Sequence, residues 1–285
     1  MKKFSVQDLW IRVVLFFLIC VILIYSLQVF ILPLTRQLFN NGNPFPETFE
    51  INIVRGMNGI VGIGLVYVFL NFDRQKLENV GLVWDQKFGW EWFIIGIPIA
   101  IIGLIPTVLV ELLFGIVTFG EILDPVGILL TLVITILAIG LGEEIIFRGY
   151  LQTILETRNS FYFSTIVSAF LFGLLHFWLW APAGNLLNMV TILFSAFAIG
   201  LTFSYVFKTT KYNLILPVAI HGFWDFFLFI FQAEFTYEKY TLIGDIRIYY
   251  QVFMEIFASF VGAAVIFLIV YLYSKKRLIT PVEED

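Results

Sequence analysis

The sequence predicts an all-α membrane protein, a bundle of about eight transmembrane helices around an intramembrane active site. Three observations carry this expectation: the composition, the length of the apolar runs, and the few charges inside them. Of 285 residues, 60% are hydrophobic and only 13% are charged, and the mean hydropathy is +0.94. Soluble domains are about one quarter charged. No polar segment is long enough to fold as a separate soluble domain.

Crossing a hydrocarbon core about 30 Å thick takes about 20 apolar residues per helix. Eight runs meet or approach that length: 10–34, 51–71, 91–116, 126–150, 161–180, 186–207, 212–233 and 249–273. The first, Trp10 to Leu34, follows a basic start but is too long for a signal-peptide core. No small-residue cleavage pattern follows, so it reads as a retained anchor. The fifth and seventh runs each contain a histidine among aromatics, and Trp178 and Trp180 place the end of the fifth at a headgroup interface. Turn-forming residues separate the runs, as in Asn40-Asn41-Gly42-Asn43-Pro44 and Ala181-Pro182-Ala183-Gly184-Asn185. The 33 phenylalanines serve lipid contact and the interfacial belts, with no cofactor box among them.

Charge placement sets the orientation. With eight spans the two ends share a side, and 13 of the 17 lysines and arginines fall there. Arg36, Arg55, Lys239 and Arg247 fall on the other side. Both termini are therefore expected in the cytoplasm, in the cell membrane of a prokaryote. The net charge of −4, spread over loops and tails, argues against nucleic acid as a partner. Cys20, the single cysteine, leaves no disulfide framework.

Charged side chains at membrane depth are costly and persist when paired or functional. The fourth run ends in Gly142-Glu143-Glu144-Ile145-Ile146-Phe147-Arg148-Gly149-Tyr150. Glu144 and Arg148 are four apart and can pair on one helical face. Glu143 has no arginine at that spacing and is left to face another neighbour, as a general base must. Both histidines also lie inside runs. His176 closes Phe172-Gly173-Leu174-Leu175-His176, and His221 opens His221-Gly222-Phe223-Trp224-Asp225, with Asp225 one turn on. A lone core histidine is usually a satisfied packing residue. Two histidines, two glutamates and an aspartate in three spans of one small bundle point to a common site.

Two chemistries fit such a cluster. Glu143, His176 and His221 could bind zinc and lower the pKa of a bound water. With no metal, Glu143 and His176 would deprotonate a water together, while His221 and its helical neighbour hold the developing oxyanion. The spacing lacks the His-Glu-x-x-His helix of common zinc peptidases, and the cofactor stays open between none and zinc.

In this order, Glu143-Glu144-x-x-x-Arg148, Phe172-x-x-x-His176 and His221-x-x-x-Asp225 resemble the CPBP family of intramembrane proteases. That family includes the CAAX prenyl endopeptidases and the bacterial Abi-type proteins linked to bacteriocin processing and immunity. The resemblance covers about 88–233, and Leu77-Glu78-Asn79-Val80-Gly81-Leu82 is similar to the family's lead-in. It implies a two-span region over 1–87, a catalytic core over 88–233, and a last span with a cytoplasmic tail over 234–285. It implies Glu143 as catalytic base, His176 as its partner in activating water, Glu144 and Arg148 as a structural pair, and His221 as an oxyanion-stabilising residue. Asp225 stands where the CAAX peptidases carry asparagine, and an ionised aspartate cannot donate to an oxyanion. Phe172 and Trp224 are expected to contact substrate.

The resemblance implies a glutamate-dependent or metallo-endopeptidase. Its partners would be membrane lipid and a membrane-associated peptide or a prenylated, CAAX-type protein. A non-catalytic immunity or scaffolding protein is the first alternative, and a proton-coupled transporter the second. The sequence lacks the internal repeats that transporters usually show.

Overall fold

The computed structural model describes residues 5–39, 47–84, 88–179, 186–231, 233–235 and 246–279. The turn stretches at 40–44 and 181–185, Trp180, Lys239 and the tail from 280 lie outside them.

Helix α1 (Val6–Ser26) starts where the Ser5 side chain accepts from the Asp8 backbone N–H, a cap on one of the donors left free at a helix start. A π-helical stretch, Leu27–Ile31, leads into α2 (Leu32–Phe39), and the candidate span here, Gln7–Ser26, ends before the expected Leu34. Next come α3 (Glu47–Phe72) and α4 (Phe88–Leu113). Helix α4 stops at Gly115, with φ 64°. The Ile116 N–H donates to the Glu111 carbonyl and that of Gly115 to the Leu112 carbonyl, the paired bonds of a Schellman stop.

The fourth run is longer than expected and is not a plain α-helix. It runs unbroken from Pro125 to Glu156. Within it lie α5 (Pro125–Ile134), a π stretch Thr135–Gly140, α6 (Leu141–Glu144), a second π stretch Ile145–Gln152, and α7 (Thr153–Glu156). Asp124 caps its start, accepting from Gly127 N–H at 2.8 Å, with Pro125 at the favoured first position. The expected end near 150 falls short because polar residues beyond it are satisfied within the helix. Gln152 donates to Glu156 at 2.9 Å, and Thr153 Oγ1 to the Arg148 carbonyl at 3.1 Å.

The remaining helices are α8 (Phe161–Leu179), α9 (Leu186–Thr209), α10 (Ile215–Ile230) and α11 (Ile246–Ile279). Among the described residues, six helices are long and apolar enough to cross a membrane, and the shorter apolar helices Phe161–Phe177 and Ile215–Ile230 fall where the fifth and seventh spans are expected. Large apolar side chains such as Ile22, Ile60 and Leu113 face outward, as an integral membrane protein requires. One element departs from the all-α expectation. Strands β1 (Val117–Phe119) and β2 (Ala233–Phe235) pair antiparallel, Val117 opposite Phe235. Once Gly115 has ended α4, Val-Thr-Phe favours extended backbone, and the partner strand satisfies it.

Two apolar cores flank the middle of the 125–156 helix. One joins α1 and α3 to the second π stretch, with Phe16 and Tyr150 rings 4.5 Å apart. The other joins α4, α10 and α11 around Ile99, Ala219, Trp224 and Ile266. Helix α3 crosses the 125–156 helix through glycines: a Cβ on Gly142 would lie 2.7 Å from the Gly59 Cα, and one on Gly59 would collide with Ala138. Small residues let membrane helices approach this closely. This contact brings the first half of α3 beside Glu143.

Candidate active site

The short α6 ends in Glu143 and Glu144, between the two π stretches. Wide turns of this kind are frequent at functional sites. Adjacent positions on a helix point about 100° apart, and the two carboxylates meet different surroundings. Glu144 is fully buried, while 23% of the Glu143 side chain is exposed.

Glu144 is the centre of a buried polar chain. Arg148 Nη1 donates to Glu144 Oε1 at 3.0 Å, and both side chains are completely enclosed. Arg148 Nη2 donates to the Gly200 carbonyl on α9 at 3.1 Å. The guanidinium lies between two rings, 4.6 Å from the centre of Phe172 and 5.4 Å from that of Phe203. His221 Nδ1 is 2.8 Å from the same Glu144 oxygen. A carboxylate paired with an arginine only accepts, so His221 Nδ1 is the donor. Phe203 lies against the His221 imidazole, ring centres 5.0 Å apart.

His176 Nδ1 is 2.9 Å from the Phe172 carbonyl one turn back. A carbonyl cannot donate, so Nδ1 carries the proton here too. Both imidazoles thus have Nδ1 engaged and turn Nε2 to Glu143. Glu143 Oε2 is 3.8 Å from His176 Nε2 and 3.7 Å from His221 Nε2. These separations are too long for direct hydrogen bonds, and Glu143 Oε2 is buried with no hydrogen-bond partner. Asp225 Oδ2 lies 3.9 Å from His221 Nε2 on the same helical face. The structure brings Glu143, Glu144, Arg148, His176, His221 and Asp225 together.

Among the described residues, no group of three His, Cys, Asp or Glu side chains could hold a metal ion. Glu143, His176 and His221, the donors expected for zinc, do not form such a group.

The two residues expected to contact substrate are enclosed. Phe172 is 2% exposed and packs against Phe147, His176 and Arg148. Trp224 is 5% exposed and fills notches at Gly103 of α4 and Gly262 of α11. Both do packing work. Sequence reasoning missed Phe203 and Gly200, which complete the cage around Arg148, because nothing local marks one phenylalanine or glycine of α9 above the others. It also missed Arg55 of α3, counted as an outer charge. Its guanidinium carbon sits 3.6 Å from the Phe229 ring centre, within electrostatic reach of Asp225 and Glu143.

Residues 125–227 match the family described as Type II CAAX prenyl endopeptidase Rce1-like. The match is shorter than the 88–233 expected and contains all six polar residues of the site. Over that stretch the resemblance to the CAAX prenyl endopeptidases holds, and the family implies a protease. No curated protein matches the chain.

Proposed function

From that match and the site's geometry, we propose that the chain is an intramembrane endopeptidase that hydrolyses a peptide bond with a water activated by Glu143. The observation that carries this reading is the convergence of two imidazole Nε2 atoms on one buried Glu143 oxygen, at 3.7 and 3.8 Å. A water between Glu143 Oε2 and His176 Nε2 is within reach of both. Glu143 takes its proton while the hydroxide attacks the scissile carbonyl. The negative charge that develops on the carbonyl oxygen is met by His221, whose protonated form donates from Nε2 while Nδ1 stays tied to Glu144. The tetrahedral adduct then collapses, the C–N bond breaks, and Glu143 returns its proton to the leaving amine. Preorganised donors of this kind are a large source of rate enhancement. Glu144 and Arg148 act as positioning residues, fixing the His221 ring through one carboxylate oxygen.

The family and one further feature support a substrate class. An apolar cavity of about 310 Å³ lies between α4, Phe119 and the end of α10, lined by Phe227, Leu228 and Phe231 just past Asp225. Ligand pockets start at about that size, and its lining suits a lipidated chain. The substrate is therefore a membrane-associated peptide, with a prenylated CAAX-type tail the best fit. The charge asymmetry supports cytoplasmic termini.

The test is hydrolysis of a prenylated CAAX peptide by purified protein in lipid nanodiscs. Glu143→Gln should lower kcat by about 10²–10⁴-fold while the variant elutes and melts like the native protein. A folded Glu143→Gln variant within tenfold of native activity would remove Glu143 as the base. Peptide binding with no hydrolysis by the native protein would favour the scaffolding alternative.

A further inference from the structure

Along the catalytic helix, Glu144, Arg148, Gln152 and Glu156 recur every four residues and share one face. Both ends of this stripe are tied to α10 or its approach. His221 meets Glu144 Oε1 at 2.8 Å, and Tyr212, just before α10, donates to Glu156 Oε2 at 2.7 Å. Between them Arg148 donates to Glu144, and Gln152 donates to Glu156 Oε1 at 2.9 Å. The stripe breaks only in its middle. Arg148 Nε, a donor, and Gln152 Oε1, an acceptor, have no hydrogen-bond partner, although both side chains are fully buried.

Helices α8 and α9 close this layer with hydroxyls. They run antiparallel, Gly173 against Leu193 and Gly200 against Ala169, so one turn beyond Gly200 brings Ser204 opposite Thr165. Ser168 Oγ reaches the Phe147 carbonyl, which sets Ser164, one turn earlier on α8, level with Leu151 and Gln152. The hydroxyls of Ser164, Thr165 and Ser204 are buried and also lack partners. Buried polar groups are nearly always satisfied, and an internal water takes about three bonds from such groups. The Arg148 charge is already met by Glu144, so the layer calls for a neutral ligand that both donates and accepts. Water is that ligand. Four helical residues rise about 6 Å, and a water with two bonds of about 2.9 Å spans that distance.

We propose that ordered water binds between Arg148 Nε and Gln152 Oε1, and that Gln152 is thereby a positioning residue for His221. The bridge closes a loop that leaves α10 at Tyr212, passes through Glu156, Gln152, Arg148 and Glu144, and returns to α10 at His221. Arg148 is then held at all three nitrogens, and the Glu144 oxygen that orients the imidazole is held with it. The water site stands on its own; its effect on turnover rests on the proposed peptidase activity.

The experiment is NMR of the full chain in nanodiscs with isotope-labelled histidine and arginine. The chain has two histidines, and His176, whose Nδ1 bonds within its own helix, is the internal control. The Arg148 Nε–H should show a cross-peak to long-lived water, and its absence from the native protein overturns the water site. Gln152→Leu keeps the bulk and removes the bridge. It should abolish that cross-peak, shift the His221 ring N–H signal and leave that of His176 in place. It should also lower kcat for a prenylated peptide about 10-fold with KM within about twofold, the loss of roughly one hydrogen bond. Gln152→Glu, which keeps an acceptor, should restore the His221 signal. A Gln152→Leu variant that melts lower while both ring signals and kcat stay native makes Gln152 a packing residue and overturns the inference, as does an equal shift of both histidines. If Gln152→Leu does not fold, Ser204→Ala decides: a shift confined to His221 supports the bridge, and no shift overturns it. If the native protein shows no Glu143-dependent cleavage, the peptidase reading fails while the NMR signals still decide the bridge.

Discussion

Replacing Arg148 by methionine would strand a carboxylate in the most enclosed part of the molecule. The native guanidinium makes two hydrogen bonds, to Glu144 Oε1 at 3.0 Å and to the Gly200 carbonyl at 3.1 Å, and lies between the Phe172 and Phe203 rings. Methionine fills much of the volume, so the cavity penalty is small and the electrostatic loss dominates. Glu144, with 0% of its side chain exposed, keeps only His221. Removing one partner of a buried pair costs about 3–5 kcal/mol, whereas replacing both with neutral groups is often close to neutral. Arg148→Met should therefore lower the melting temperature in detergent markedly, and adding Glu144→Gln should recover most of the loss. The activity of the double variant should stay low, because the amide introduced by Glu144→Gln is a weaker acceptor for His221 Nδ1 than a carboxylate. A single variant that melts like the native protein, or a double variant less stable than the single, would refute the stranded-charge argument.

Two further outcomes follow from the same geometry. Asp225→Asn should retain substantial peptidase activity, since asparagine is nearly isosteric and supplies an N–H donor in place of the carboxylate whose Oδ2 lies 3.9 Å from His221 Nε2; activity in nanodiscs reduced more than about 100-fold would instead give the carboxylate an essential role. Tyr212, in the turn between α9 and α10, donates to Glu156 Oε2 at 2.7 Å, and burial and then that acceptor push its pKa above the ordinary tyrosine range. Its contribution is complete below about pH 10, the unfolded value, and is lost as the pH rises above that, so the stability gap between native protein and Tyr212→Phe should shrink in melting scans above pH 10. The group is exposed enough that the gap at pH 8 should be roughly 0.5 kcal/mol, and a gap that widens with alkali would reverse the assigned direction.

The six long apolar helices and the two shorter ones are legible in the sequence because lipid imposes one demand on every crossing segment, a sustained apolar run. The acids and histidines are legible because charge is rare in such runs, and Glu144 and Arg148 because a spacing of four residues defines a shared face. What escapes the sequence depends on contacts between helices. The two π stretches follow from how the 125–156 helix packs against α3, α8 and α10, and no residue pattern within Thr135–Gly140 or Ile145–Gln152 announces them. The cage around Arg148 draws on α8 and α9, and a phenylalanine there looks the same whether it faces lipid or a guanidinium. Arg55 reads as an outer charge because its ring partner, Phe229, lies far along the chain. Trp224 reads as a substrate contact because it stands beside Asp225 in sequence, although its indole turns to Gly103 and Gly262.

The second π stretch ties the catalytic helix to its neighbour through the main chain. A turn of i→i+5 bonds loosens the regular ladder, and a buried carbonyl without a donor is costly. Here hydroxyls supply the donors: Ser168 Oγ of α8 donates to the Phe147 carbonyl at 2.7 Å, and Thr153 Oγ1 to that of Arg148 at 3.1 Å. The wide turn can therefore persist only while α8 stays docked beside it. Because α8 also carries His176, the helix that supplies half of the water-activating pair is the one that latches open the register of the other half. Undocking α8 would both withdraw an imidazole and let the acid-bearing helix relax toward a tighter winding, so assembly of the bundle and assembly of the reactive groups are one event.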